Sequence, residues 1–321
     1  MSLITSLVNK VSKAFSKTQS SDLLGISLRQ NSLAYCYIPY TSKPSAKIDE
    51  QNSIVSRCDQ MENLQGDFNK ALTDFSEQQK VQGQCQLILS AGQYQIIQTD
   101  KPDVPENEII GALKWQIKDQ VTYSPDDMVL DYFYAPKQPD GTEKLYVICA
   151  SLSVLKPLVD HLINDDITLT TITVEEFAFA RLLPFSDDAQ LMLCQQPDEE
   201  IFILIVKQGR ICFHRRLRGF AQIANKSEEE LAFGTIDSLS LEIQKSTDYF
   251  ERQLKQSVIK SIKVIIPTST ENHLIKKLSE NTHIKVSSLV LADEFSSSRH
   301  LAAAIGATID DSISLVAGES E

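Results

Sequence analysis

The sequence predicts a two-lobed α/β protein in which each lobe is a mixed sheet covered by helices. Two observations predict it. Each half opens with a strand, a turn and two further strands, and then brings in helices and single strands. The 321 residues, 42% hydrophobic and 23% charged, also suit about two globular domains of roughly 150 residues each. That composition excludes a disordered chain, a collagen or a disulfide-stapled miniprotein.

In the first half, residues 23–28 (LLGISL) read as a strand, Arg29-Gln30-Asn31 as a turn and 32–38 as its hairpin partner. Residues 39–52 are polar loop, and 54–58 are a third strand. Helical spacing of Phe68, Leu72 and Phe75 marks a helix over 66–80. Strands follow at 85–89 and 94–98. A helix over 107–120 carries Ile109, Ile110, Leu113, Ile117 and Val121 near one face and stops at Tyr123-Ser124-Pro125. Strands at 128–135 and 144–150 are joined by the Pro139-Asp140-Gly141 turn. A helix over 153–163 admits Pro157 only near its first turn. A strand at 169–174 and a helix over 175–183 complete the half.

The boundary falls near 184–189. Strands at 190–195, 200–207 and 210–217 follow, the last two joined by a hairpin turn at Gln208-Gly209. One long helix is expected from about 227 to 256, then a strand at 260–267, a helix over 272–280, a strand at 284–289 and a closing helix over 299–308. The expected organisation is therefore an N-terminal segment (1–20), a first lobe (21–186) with an inserted subdomain at about 93–150, a second lobe (187–308) and a tail (309–321).

Residues 1–17 carry three lysines and no acid, so the remainder carries −15 of the net −12. At 100° per residue Leu3, Ile4, Leu7, Val8, Val11 and Phe15 share one face, with Lys10, Lys13 and Lys17 on the other. This amphipathic pattern suits a helix lying in a membrane surface, or one docked on its own domain or on a partner. It lacks the continuous apolar stretch of a signal peptide, and no apolar run approaches the length of a membrane span.

The acidic balance opposes a nucleic-acid surface. The one dense basic run, His214-Arg215-Arg216-Leu217-Arg218, is either a solvated strand face or a dock for an acidic partner or lipid headgroups. Six cysteines without a Cys-x-x-Cys pair read as free thiols of a cytosolic protein. Neither they nor the five histidines have metal-ligand spacing, so no metal is expected. No catalytic residue is assigned.

Four segments carry a resemblance. Residues 112–116 (ALKWQ) run into Tyr123-Ser124-Pro125 and then 129–132 (VLDY); 174–181 read VEEFAFAR; 241–246 read LEIQKS with Tyr249-Phe250; 302–306 read AAAIG. In this order they resemble the PilM family of type IV pilus proteins, over roughly residues 22–308, and most closely its branch from the mannose-sensitive haemagglutinin (MSHA) pilus. The resemblance implies a duplicated actin-like ATPase fold. It also implies a cytoplasmic protein on the bacterial inner membrane that binds the tail of a bitopic PilN-like partner (MshJ in that branch), with the pilus assembly ATPase as a further candidate partner. Trp115, Tyr123, Tyr132 and Tyr134 would serve that capture, against the alternative of core packing.

The same resemblance locates a degenerate nucleotide cleft. Actin-like ATPases cradle phosphates with two Asp-x-Gly turns, whose glycines admit close backbone N–H approach and whose aspartates serve Mg²⁺. Here Gly25-Ile26-Ser27-Leu28-Arg29 puts Ser27 at the aspartate and Arg29 at the glycine, and Cys194-Gln195-Gln196 puts Cys194 and Gln196 at the second pair. The adenosine loop becomes Pro267-Thr268-Ser269-Thr270. Glu242 and Lys245 match the nucleoside-contacting helix or are plain solvent-facing charges. No Asp-x-Gly, Gly-x-Gly or Gly-Lys occurs anywhere in the chain. The expectation is a pseudo-ATPase scaffold without a cofactor, weak ATP binding through Arg29 staying open. An ATP-binding switch or ATPase in pilus or type II secretion assembly is the alternative.

Overall fold

The two strand openings fold into two sheets of the same topology. The computed structural model describes residues 22–39, 56–62 and 66–309. The predicted N-terminal helix, with its apolar and lysine faces, most of the 39–52 loop and nearly all of the tail lie outside the described residues. Those described divide into two units. The first holds the residues up to Phe133, Leu145–Ala178 and those from Ala303 on; the second holds Tyr134–Lys144 and Phe179–Ala302.

In the first unit β1 (Leu23–Leu28), β2 (Ser32–Ile38), β3 (Arg57–Glu62), β4 (Gln84–Leu89) and β8 (Thr168–Val174) form a sheet of order β3-β2-β1-β4-β8. β1–β2 and β2–β3 are antiparallel, whereas β1–β4 and β4–β8 are parallel. The apolar spacing seen in sequence becomes α1 (Phe68–Gln79), which buries Leu72 and Phe75 against the sheet. Asp67 caps it by accepting from the Lys70 N–H at 3.0 Å, and Lys80 ends it in a left-handed turn. α3 (Leu152–Asn164) starts at the Ser151 cap. This corrects the expectation for Pro157, which stands in the second turn of α3, where its missing N–H costs one helical hydrogen bond. α4 (Glu175–Ala180) follows β8.

The inserted subdomain is a three-stranded sheet of order β5-β7-β6 from β5 (Tyr94–Asp100), β6 (Met128–Tyr134) and β7 (Lys144–Ser151). α2 (Ile109–Gln116) covers it, and Ile109, Leu113 and Ile117 pack on Met128, Leu130 and Val147 in a small core of its own. The helix is shorter than the sequence suggests, and Ile110 stays exposed.

In the second unit β9 (Gln190–Cys194), β10 (Phe202–Lys207), β11 (Arg210–Arg216), β12 (Ser261–Ile265) and β13 (Lys285–Ser288) take the order β11-β10-β9-β12-β13. The first three are antiparallel and the last two join in parallel, as in the first unit. Gln208 and Gly209 both have positive φ, as a type I′ hairpin turn requires. α5 (Ile236–Asp248) and α6 (Glu271–Thr282) bury Leu239, Ile243, Leu274 and Leu278. α7 (Ala302–Gly306) closes the described chain.

Two further expectations are corrected. The long 227–256 helix is broken: Phe233 (ψ 57°) and Gly234 (φ 86°) leave helical geometry between the turn Glu228–Glu230 and α5. The six free thiols become four. Cys36 and Cys58, directly paired across β2 and β3 with Cα atoms 4.1 Å apart, form a disulfide. Cys85, Cys149 and Cys194 are free and buried, and Cys212 is half-buried. Burial pushes the Cys149 thiol up to about 11, so it stays a protonated, unreactive apolar group.

Candidate functional site

The residues aligned with phosphate turns sit at the ends of the central strands of each sheet. In the first unit Ser27 is fully buried and Arg29 is 1% exposed, the largest side chain enclosed to that degree. Its Nη1 donates to Gln60 Oε1 on β3 at 3.3 Å, and its backbone N–H closes the hairpin onto Ser32 O at 2.9 Å. The turn therefore directs a long guanidinium inward. Gly25 is packing: an added Cβ would fall on the Ala304 carbonyl oxygen and lie 2.9 Å from Ala307 Cβ in the closing segment. Beside this strand end, buried Glu175 and Glu176 open α4, and Tyr94 donates to Glu176 at 2.5 Å.

In the second unit Cys194, Gln195 and Gln196 are all buried at the end of β9. Gln195 Nε2 donates to the carbonyls of Glu199, Phe220 and Ala221 at 2.8–3.2 Å. It thereby ties the β9–β10 turn, with Asp198 at φ 61°, to the loop after β11. Ser27 and Cys194, the residues aligned in sequence with the two aspartates, are not carboxylates, and among the described residues no His, Cys, Asp and Glu group could hold a metal. The adenosine-loop positions are also engaged. Thr268 Oγ1 donates to Ala224 O at 3.0 Å and shares a 2.9 Å contact with Thr270 Oγ1, while Ser269 is exposed. Glu242 on α5 bridges Arg215 and Lys245, each at 2.7 Å.

No protein-family model matches the chain, and no curated protein matches it in sequence. Solved structures do. The PilM–PilN type IV pilus biogenesis complex matches with TM-score 0.61 at 14% identity, over 89% of this chain and 97% of that one. The cytoplasmic domain of EpsL, an inner membrane component of the type II secretion system of Vibrio cholerae, matches at 0.51 and 13%, over 88% and 95%. A Bacteroides thetaiotaomicron protein with actin-like ATPase fold and unknown function matches at 0.50 and 10%, over 88% and 96%. This chain has the actin-like ATPase fold. The twin sheet orders and the two hairpin openings are its two halves.

Within the actin-like fold the inserted subdomain carries all four aromatic candidates, in different settings. Trp115 on α2 is 66% exposed, its ring 5.8 Å from Lys118 Nζ, and Tyr134 at the end of β6 is 44% exposed. Tyr123 and Tyr132 instead pack on the subdomain core, and Tyr132 donates to Glu106 at 2.6 Å. Burial raises the Tyr123 hydroxyl above its ordinary value. Tyr132 also borders a shallow cleft with Phe133, Ile148, Ile172 and Phe177, between the inserted sheet and β8. Among the described residues no helix is long and apolar enough to cross a membrane.

Sequence reasoning missed the Tyr94–Glu176 contact, which no local pattern announces. It also missed the broken helix before α5, although Gly234 inside a helical run was a usable signal.

Proposed function

We propose that this chain is a non-catalytic, PilM-like scaffold at the cytoplasmic face of a bacterial inner membrane. It captures the cytoplasmic tail of a PilN-like inner-membrane protein in a pilus platform. Within that family the MshI type, serving the MSHA pilus with MshJ as partner, is the assignment its sequence segments favour. The observation that carries the reading is the enclosed side chain of Arg29, the residue that the sequence aligns with the first phosphate-turn glycine. Without turn glycines or a metal carboxylate, the electrostatic stabilisation of a transferring phosphoryl group is missing. The likeness to a solved PilM–PilN complex supports the partner, and Trp115, two-thirds exposed on α2, supplies an aromatic contact suited to a peptide. The residues 1–17 helix would add contact with the membrane surface.

The test is calorimetric titration with Mg-ATP and, separately, with a synthetic peptide of the partner's tail. Millimolar nucleotide should give no saturable heat, and the peptide should bind and lose most of its affinity in Trp115→Ser at unchanged melting temperature. Saturable nucleotide binding would replace this reading with a ligand-gated switch or an ATPase. Removing residues 1–17 should abolish liposome flotation.

A further inference from the structure

The basic run on β11 acquires a setting that the tail-capture reading does not use. The end of β11, the loop after it and the broken helix enclose a cavity of about 840 Å³, wholly within the second unit. Its wall carries Arg215, Arg216, Arg218 and Lys226 against a single carboxylate, Glu242. Glu242 is already held by Arg215 and Lys245, each at 2.7 Å. Arg218 is exposed and has no ion pair among the described residues. At the mouth stands Phe233, 94% exposed, with Leu241 at 50% beside it. The non-helical Phe233-Gly234 step holds the ring outward, since a continuous helix would not take ψ 57° there.

We infer that this cavity docks an acidic peptide segment of a protein partner, with one apolar side chain of that segment seated against Phe233 and Leu241. Charge complementarity selects the occupant. In a chain of net −12, a concave site with four cations and one neutralised carboxylate stands out as a local basic patch that attracts acidic residues. An exposed aromatic flanked by arginine is the composition of an interface anchor. A phosphate ligand fits less well. The loop N–H groups that would grip it, Gly219 and Phe220, already donate to the Glu200 carboxylate at 2.8 and 2.7 Å. A flat lipid surface would not fill a concavity.

The experiment uses the full chain on an array of short synthetic peptides graded in Glu and Asp content, each with and without one Leu or Phe. Binding should rise with acid content, require the apolar residue and weaken with salt. It should fall by about tenfold in Arg218→Glu and in Phe233→Ser, both exposed positions, and stay unchanged in Arg252→Glu, an exposed arginine outside the cavity lining. No acid-dependent binding anywhere on the array, or equal loss in Arg252→Glu, overturns the proposal. So does binding that appears only after residues 310–321 are removed, which would make the chain's own acidic tail the occupant. Binding of anionic phosphatidylglycerol vesicles through Arg218, without peptide binding, overturns it in favour of a membrane surface.

Discussion

Gly25 of β1 lies directly beneath the carbonyl oxygen of Ala304 in α7. The closing helix thus seats on the first strand of the chain, and Gly25 serves as the packing contact that lets it approach. A side chain there must push α7 off the sheet. Gly25→Ala should destabilise by about 1–3 kcal/mol, as overpacking does. Gly111→Ala, on the open face of α2 where a Cβ meets nothing, should stabilise by about 0.5–1 kcal/mol. Urea midpoints of the two variants should move in opposite directions.

Arg29 separates a structural arginine from one waiting for a ligand. Enclosed to 1% exposure and bonded to Gln60, it belongs to the hairpin. Arg29→Met leaves the Gln60 Oε1 without its donor and should cost about 1–3 kcal/mol in urea unfolding. Mg-ATP at millimolar concentration should not shift the melting temperature of the parent protein. A nucleotide-dependent rise would mean that the guanidinium turns outward to a phosphate.

The contrast between Phe75 and Phe233 follows from the same accounting of exposure. Phe75 on α1 is fully buried and stacks near Tyr35 at 5.1 Å between ring centroids, so Phe75→Ala should cost about 3–5 kcal/mol. Phe233→Ala should leave the melting temperature unchanged, since almost none of its surface is removed from water.

Periodicity made the sheets legible. The apolar runs of β1, β4, β9 and β10 are buried on both faces, and their order in each half repeated, so the duplication could be read before any contact was known. Lobe-level motifs such as the VLDY strand were equally readable. What stayed hidden depends on distant pairing. Cys36 and Cys58 are 22 residues apart and meet only through the register of β2 on β3. Gln195 was aligned as a turn residue, but its role in gathering three carbonyls is visible only once the β9 turn meets the loop after β11. The four aromatics were likewise equivalent in sequence; packing on the α2 core distinguishes Tyr123 and Tyr132 from exposed Trp115.

His214 on β11 predicts a slope on the acid side of the stability curve. Burial first, and the Arg216 guanidinium second, hold its pKa down to about 4. Between the ordinary histidine value near 6.5 and that point, the unfolded chain binds more protons than the folded one. Stability is therefore full above about pH 6.5 and falls as pH drops toward 4, by on the order of 3 kcal/mol. His214→Gln should flatten that limb in urea titrations at successive pH values. An unchanged slope would assign it to other groups.

Asp127 gives a second pH signature at lower pH, and it reports on how the inserted subdomain joins α3. Its carboxylate accepts from the Ser151 hydroxyl at 2.6 Å, the Ser153 N–H at 2.8 Å and the Ser153 hydroxyl at 3.3 Å. Ser151 in turn caps α3 through the Val154 N–H at 3.3 Å. The Ser151 hydrogen bond, then that of the Ser153 N–H, hold the Asp127 carboxyl below the usual carboxylate range. A depressed acid contributes stability above its unfolded value, near 4, and loses it as pH falls through the lower folded value. Asp127→Asn should therefore show a shallower acid-unfolding limb below about pH 4 than the parent protein. Ser151→Ala removes the cap and the strongest of the three contacts together, and should cost about 1 kcal/mol at neutral pH. If the turn and α3 act as one unit, the double variant should lose less than the sum of the two single losses. Simple additivity would instead mean that Asp127 and Ser151 stabilise their own elements independently.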